Sequence, residues 1–559
     1  MEKEYLFRYD SAMEFPLDES IETVNSLDSG NYLISNVETP YAEVYAPEIN
    51  FYIKNSSDDI SKKIQNVKTL YDVRLAAYEL AEDFDYTTPV GNKLIIVSDT
   101  EIKDLQEQFE KDNLVVIRVP TSSILDVNGQ IGKLLVSLKK DDEHLEIETD
   151  QIIWHNAPYF AMKQSGVYNP NEIGLEEACK RVLDNYGEFS YKNIIKYDST
   201  ICQYHERQAE ICGRCADVCP SVAIVKIDET KHLGFSDVDC HGCGGCISVC
   251  PSGALDYTQM NRDSFAEVAS FYTDKISLII PRKMSLDNLS CVLTENVLPF
   301  PIEGEKYLHE VHFLTLLQKS GNPIVFYTDL ISKGTGDAID LLNEIFARKY
   351  GKKAIYTCET TEELEQAFSE LENIEECKFD MLDDGMMKRE IFTHRLSHLV
   401  GEDDLGLVHT KEHIHYGTIK INQDACTLCL SCVGACNVKA LTSHAEDNTL
   451  RFNPSMCTNC GYCEFICPEK DCLEVVYDEM YLDKNYFKQN IMATDTLFAC
   501  VECGIEFATT KSIEKIAAIM APIFAGDETK VRSLYCCADC KPKITMQAFL
   551  NQKNKSENV

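Results

Sequence analysis

Three times the chain repeats four cysteines separated by two, two and three residues, and few patterns leave a backbone so little choice. The runs are Cys240, Cys243, Cys246, Cys250; Cys426, Cys429, Cys432, Cys436; and Cys457, Cys460, Cys463, Cys467. Gaps of two residues wrap the chain in a tight turn whose N–H groups can face one centre. Converging thiolates suit an iron–sulfur cube, because soft sulfur binds iron covalently whereas oxygen ligands suit harder ions. When two such runs pair, the fourth cysteine of each serves the other centre. The second pair of runs therefore predicts one [4Fe–4S] cluster on Cys426, Cys429, Cys432 and Cys467, and another on Cys457, Cys460, Cys463 and Cys436.

The run Cys240–Cys250 has an incomplete partner, Cys212, Cys215 and Cys219, with Ala209 where a leading cysteine would stand. An internal repeat points to the missing ligand. IKYDSTIC ends at Cys202 as IKINQDAC ends at Cys426, and LGFSDVDC ends at Cys240 as LRFNPSMC ends at Cys457. Cys202 thus takes the place of Cys426, followed by a seven-residue insertion in the ligand loop. The expected clusters are Cys202, Cys212, Cys215, Cys250 and Cys240, Cys243, Cys246, Cys219. His205 competes for the place of Cys202, since imidazole also ligates such clusters. A three-cysteine cluster or a [3Fe–4S] form is the fallback. Proline follows Cys219, Cys250 and Cys467, but Asn437 follows Cys436. An amide near the sulfurs can raise a potential, so the cluster on Cys436 is expected to be the most oxidising.

Near the carboxy terminus FACVECGIEF is followed by YCCADCK. Cys500 and Cys503 form a knuckle, Cys537 and Cys540 make the matching pair, and four thiolates in two C-x2-C pairs fit structural zinc. Mononuclear iron or a fifth cluster is the alternative, and Cys536 could replace Cys537. Cys179, Cys291, Cys358, Cys377 and Cys472 stand alone and read as small buried hydrophobes. Cys472 aligns with Leu255, which favours core packing. His309 with His312, His394 with His398, and His409, His413 and His415 lack a metalloprotease motif and are not read as metal sites.

A chain of 559 residues exceeds one ordinary domain. The expected fold is α+β and multidomain. It comprises an N-terminal α/β region (1–190), ferredoxin-like dicluster modules (191–262 and 410–482), a second α/β domain (263–405), a zinc-ribbon-like element (495–545) and a polar tail (546–559). In the first α/β region, runs Leu94–Val97 and Leu114–Val119 bracket a helical pattern, a β-α-β signature. In the second, Ile276–Ile280, Pro323–Tyr327 and Ala354–Tyr356 read as strands between helical patterns Tyr307–Lys319, Ile339–Tyr350 and Glu362–Glu372. SKGTGDAID lacks the Lys-Ser/Thr pair of a phosphate loop and reads as a loop and helix start. Trp154 reads as a strand end.

The formal charge of −38 repels nucleic acid and favours a basic patch on a protein partner. No apolar run is long enough for a bilayer, and neither a Sec signal nor a twin arginine opens the chain. Close-set cysteines without a secretory signal indicate a reducing cytoplasm.

ICGRCADVCPSVAI after a distant cysteine, CTLCLSCVGAC with CTNCGYCEFICP, and CVECGIEF with CCADC together resemble a family of large bacterial cytoplasmic 4Fe–4S ferredoxin-type proteins. That family is often associated with molybdenum- or tungsten-dependent formate dehydrogenases. The resemblance runs from about Gln130 onward and implies such a dehydrogenase as redox partner. An electron carrier is the leading expectation, since no Ser-His-Asp order, P-loop or Rossmann fingerprint supplies catalysis. The alternatives are a subunit of a flavin-dependent oxidoreductase and a maturation factor for a molybdoenzyme. Flavin stays open because flavodoxin-like sites need no glycine fingerprint.

Overall fold

Leu94, Ile95, Ile96 and Val97 form an unbroken apolar run, and a strand of that kind must be covered on both faces. In the computed structural model it is the strand Lys93–Val97, inside a parallel sheet ordered Val167–Tyr168, Gln151–Trp154, Lys93–Val97, Val115–Val119. Residues 3–8, 15–24, 30–140, 143–286 and 289–556 are described. One face packs Ile95, Val97 and Trp154 against an antiparallel meander carrying Val127, Leu134 and Val136. The other packs Leu94, Ile96 and Ile153 against Phe109 of helix Lys103–Lys111 and Val182 of helix Leu175–Asp184. The expected β-α-β unit is present, and Trp154 ends its strand. A second parallel sheet, Glu22–Val24, Lys3–Arg8, Tyr32–Ser35, Ala42–Tyr45, lies nearer the amino terminus.

The chain divides into two compact units, Met1–Lys388 and Arg389–Val559. The rest of the first unit holds one cysteine-rich module and a parallel sheet ordered Val297–Ile302, Ile276–Pro281, Ile324–Tyr327, Ile355–Cys358. Three of its strands fall where the apolar runs placed them. The fourth strand, Val297–Ile302, lies outside those runs and carries Pro299 and Pro301, which cannot donate to a ladder. It is tolerated at the sheet edge, where one side needs no donors. SKGTGDAID is mostly helix: Ser332 caps Lys333–Tyr350 by accepting the Thr335 N–H. His309 and His312 form the capping box of helix Glu310–Ser320.

Both modules use the same pairings. Ile195–Tyr197 lies antiparallel to Leu255–Tyr257, and Ile224–Ile227 to His232–Phe235. In the second unit Gly417–Ile421 pairs with Leu473–Tyr477, and Leu441–His444 with Thr449–Phe452. There Asn490–Thr494 adds a third strand to the latter pair. The hairpin Leu497–Ala499 with Glu506–Thr509 and the helices Thr510–Met520, Glu528–Ser533 and Cys540–Ser556 follow. The segment expected as a polar tail is therefore helical as far as Ser556. Among the described residues no helix is long and apolar enough to cross a membrane.

Candidate metal centres

Each cysteine loop begins with the same local device four residues before its first cysteine. Asp198 accepts the Thr200 N–H, Asn422 the Asp424 N–H and Asn453 the Ser455 N–H, while Ser236 accepts the Asp239 N–H. These side-chain turns end the strand and point the next backbone groups inward. The device is legible as Asp, Ser, Asn, Asn at matched positions of the repeat. A second device follows: Gly213, Gly244, Leu430 and Gly461, at equivalent positions, all have left-handed backbone and each opens a short helix carrying the next cysteine. Glycine adopts that conformation without a Cβ clash, whereas Leu430 is strained.

Three cavities result. One of about 320 Å³ is lined by Cys202, Cys212, Cys215 and Cys250; His205 is not in its wall. The next, about 440 Å³, is lined by Cys219, Cys240, Cys243 and Cys246. In the second unit a cavity of about 340 Å³ is lined by Cys426, Cys429, Cys432 and Cys467. Each set is one of the crossed sets expected, the first through the repeat register that pointed to Cys202 and the others through spacing. Cys457, Cys460, Cys463 and Cys436 also crowd together: burial pushes the Cys463 thiol far up, with Cys457, Cys460 and Cys436 adding to the effect. Burial likewise pushes Cys215 well above its ordinary value, followed by the sulfurs of Cys250, Cys212 and Cys202. Buried thiols that oppose each other's ionisation need a cationic core before they can all be thiolates, and iron–sulfur cubes provide one. The backbone N–H groups of Tyr204 and Asn459 already reach Cys202 Sγ and Cys457 Sγ, at 3.5 and 3.3 Å.

Spacing did not disclose the surroundings of these loops. Tyr197, on the wall of the first cavity, packs on Phe235, on the wall of the second, with ring centroids 4.7 Å apart. Lys388, fully buried, bridges Glu310 and the carbonyl of Cys250, each at 3.0 Å. Cys472 is buried in the module core, as its alignment suggested, and also lines the Cys426 cavity. In the second unit Thr509 and Ser512 both donate to the Thr427 carbonyl, between Cys426 and Cys429, so the last element is tied to that loop. Lys515 pairs with Glu469, which accepts from Thr427 as well.

Cys500, Cys503, Cys537 and Cys540 place their sulfurs within 4.8 Å of one another. Burial raises the Cys500 thiol, but the N–H groups of Cys537, Cys503 and Glu502 outweigh it and bring it down to about 6. That donor set suits tetrahedral zinc. Cys536, the competing residue, donates instead to the Arg532 carbonyl at 3.4 Å. The first pair sits on a hairpin, with Gly504 left-handed, whereas the second leads into helix Cys540–Ser556. His309 with His312, His394 with His398, and His409, His413 and His415 do not converge with other donors into such a group among the described residues.

Residues 210–254 match the profile of a family described as a 4Fe-4S dicluster domain, and residues 418–468 match another of the same description. No curated protein matches the chain. Two dicluster ferredoxin domains in one mixed α and β chain make this an iron–sulfur protein of the electron-transfer class.

Proposed function

We propose that the chain holds four [4Fe–4S] clusters, two in each module, and relays single electrons to or from an oxidoreductase. The supporting observation is the sorting of sixteen cysteines into four crossed sets, three of them around separate cavities. A bound cluster of this type takes up and returns one electron at low potential. The chain's own residues do the rest. Backbone N–H groups meet the sulfurs, the apolar walls exclude water, and the Tyr197–Phe235 contact joins the two cavities of the first module. Cys500, Cys503, Cys537 and Cys540 hold a structural zinc that fixes the helix Thr510–Met520 over the Cys426 loop. The charge of −38 favours a partner with a basic docking face. The family resemblance makes a molybdenum- or tungsten-dependent formate dehydrogenase the first partner to test.

The test is an anaerobic preparation of the full chain. About sixteen iron with matching sulfide and no flavin supports the carrier, as does reduction of its clusters by formate in the presence of such a dehydrogenase. Iron near eight overturns the four-cluster count, and stoichiometric flavin overturns the simple carrier.

A further inference from the structure

The loop inserted between Cys202 and Cys212 has no counterpart in the second module, and it is tightly fixed. Tyr204 is fully buried and its hydroxyl donates to Asp228 at 2.8 Å. The Glu206 N–H donates to the Lys231 carbonyl at 3.0 Å, and both residues have left-handed backbone at φ 53°. The loop is thereby folded onto the hairpin Ile224–Ile227 with His232–Phe235. The consequence is a meeting of three donors. The His205 and His232 rings stack with centroids 4.5 Å apart, and their Nε2 atoms lie 3.8 and 3.5 Å from the same Glu206 Oε1. One ligand atom from each residue falls within 4.8 Å of the others.

We infer that His205, Glu206 and His232 form a further metal site, for a divalent transition ion of the zinc class. Two imidazoles and a carboxylate are the donors such ions prefer, and three protein ligands leave a position for water. His232 Nε2, which faces Glu206, is buried without a hydrogen bond among the described residues. Ring nitrogens left in that state cost free energy that a coordinated cation offsets. The site also gives His205 a role outside the cavity of Cys202. With Cys202 a cluster ligand, as in the proposed function, the ion pins the loop that presents it. Glu206 is 71% exposed at its side chain, so the ion exchanges with solvent far faster than one enclosed by four cysteines.

The experiment counts zinc and iron in the anaerobic full-length protein after dialysis against buffered Zn²⁺, before and after brief treatment with EDTA. The wild type is expected to hold two zinc and to release one to EDTA. His232→Gln and His205→Gln each hold one fewer, Glu206→Gln binds the labile ion at least tenfold more weakly, and iron is unchanged in all three. The zinc held by the four carboxy-terminal cysteines, absent in Cys540→Ser, reports separately, so failure of that site is distinguishable from failure of this one. Equal zinc in the wild type and both histidine variants, across micromolar free Zn²⁺, overturns the inference. Loss of about four iron in His205→Gln overturns it too, by making His205 a cluster ligand.

Discussion

Nine residues lie between Cys202 and Cys212 in the first module, and two between Cys426 and Cys429 in the second. Around those unequal loops the strand pairings are the same, so the repeat conserves the frame and varies what surrounds each centre. The first-module cavity has Leu255 in its wall where the second has Cys472, and it lies against the buried Lys388. The second-module loop exposes Cys429, uses Leu430 in a left-handed turn and is braced from the carboxy-terminal four-cysteine element through Thr427. A common scaffold thus offers centres with different spare ligands, local charge and solvent access, the properties that set potential.

Removing one ligand from each module breaks the comparison most sharply. Cys202→Ala is expected to lose about four iron, since its cavity holds no spare thiol among the described residues, and His205→Ala to lose none. Cys426→Ala retains more iron than Cys202→Ala through Cys472, and the Cys426→Ala/Cys472→Ala double variant loses the difference. Iron analysis with EPR of the reduced protein checks this, and equal loss in both single variants denies any role for Cys472.

Charge is the next lever. Lys388→Met removes a buried cation beside the Cys250 carbonyl and should lower the midpoint of one first-module cluster by on the order of 100 mV. Double substitution with Glu310→Gln keeps the buried carboxylate from being left alone, and an EPR-monitored titration reads the result.

Backbone strain gives a smaller contrast. Gly461→Ala should cost about 1–2 kcal/mol, because it forces a Cβ into left-handed backbone and within 2.5 Å of the Tyr477 hydroxyl. Leu430→Ala, already strained, should change stability by less than ~0.5 kcal/mol. Denaturant unfolding of the holoprotein compares the two. Smallest of all, Asn437→Pro should lower the midpoint of the cluster on Cys436 by less than the Lys388 change. An unaltered titration would show that the amide leaves that potential alone.

The grouping of cysteines was legible because short spacings are local, and the register IKYDSTIC against IKINQDAC singled out Cys202, which lines one cavity with Cys212, Cys215 and Cys250. The β-α-β unit was legible because fully buried strands read as continuous apolar runs. Val297–Ile302 was not, since its two prolines are acceptable only at an edge, and edges are assigned by the whole sheet. Lys388, 138 residues from Cys250, left no mark in the pattern, because a buried ion pair needs only its partner and not a sequence neighbour. His205 was visible as a candidate ligand, but its neighbours Glu206 and His232 became a group only when the insertion folded onto the hairpin.

The sequence by itself determined two dicluster ferredoxin domains, the twofold repeat and which cysteines stand close enough in the chain to converge, since these follow from covalent spacing. Tertiary structure alone decided which side chains stand behind the sulfurs. It put Lys388 at the Cys250 carbonyl, Cys472 in a cavity wall and His205 against His232 and Glu206. Such placements depend on packing between distant segments, which set local dielectric, charge and access, and no local pattern encodes them.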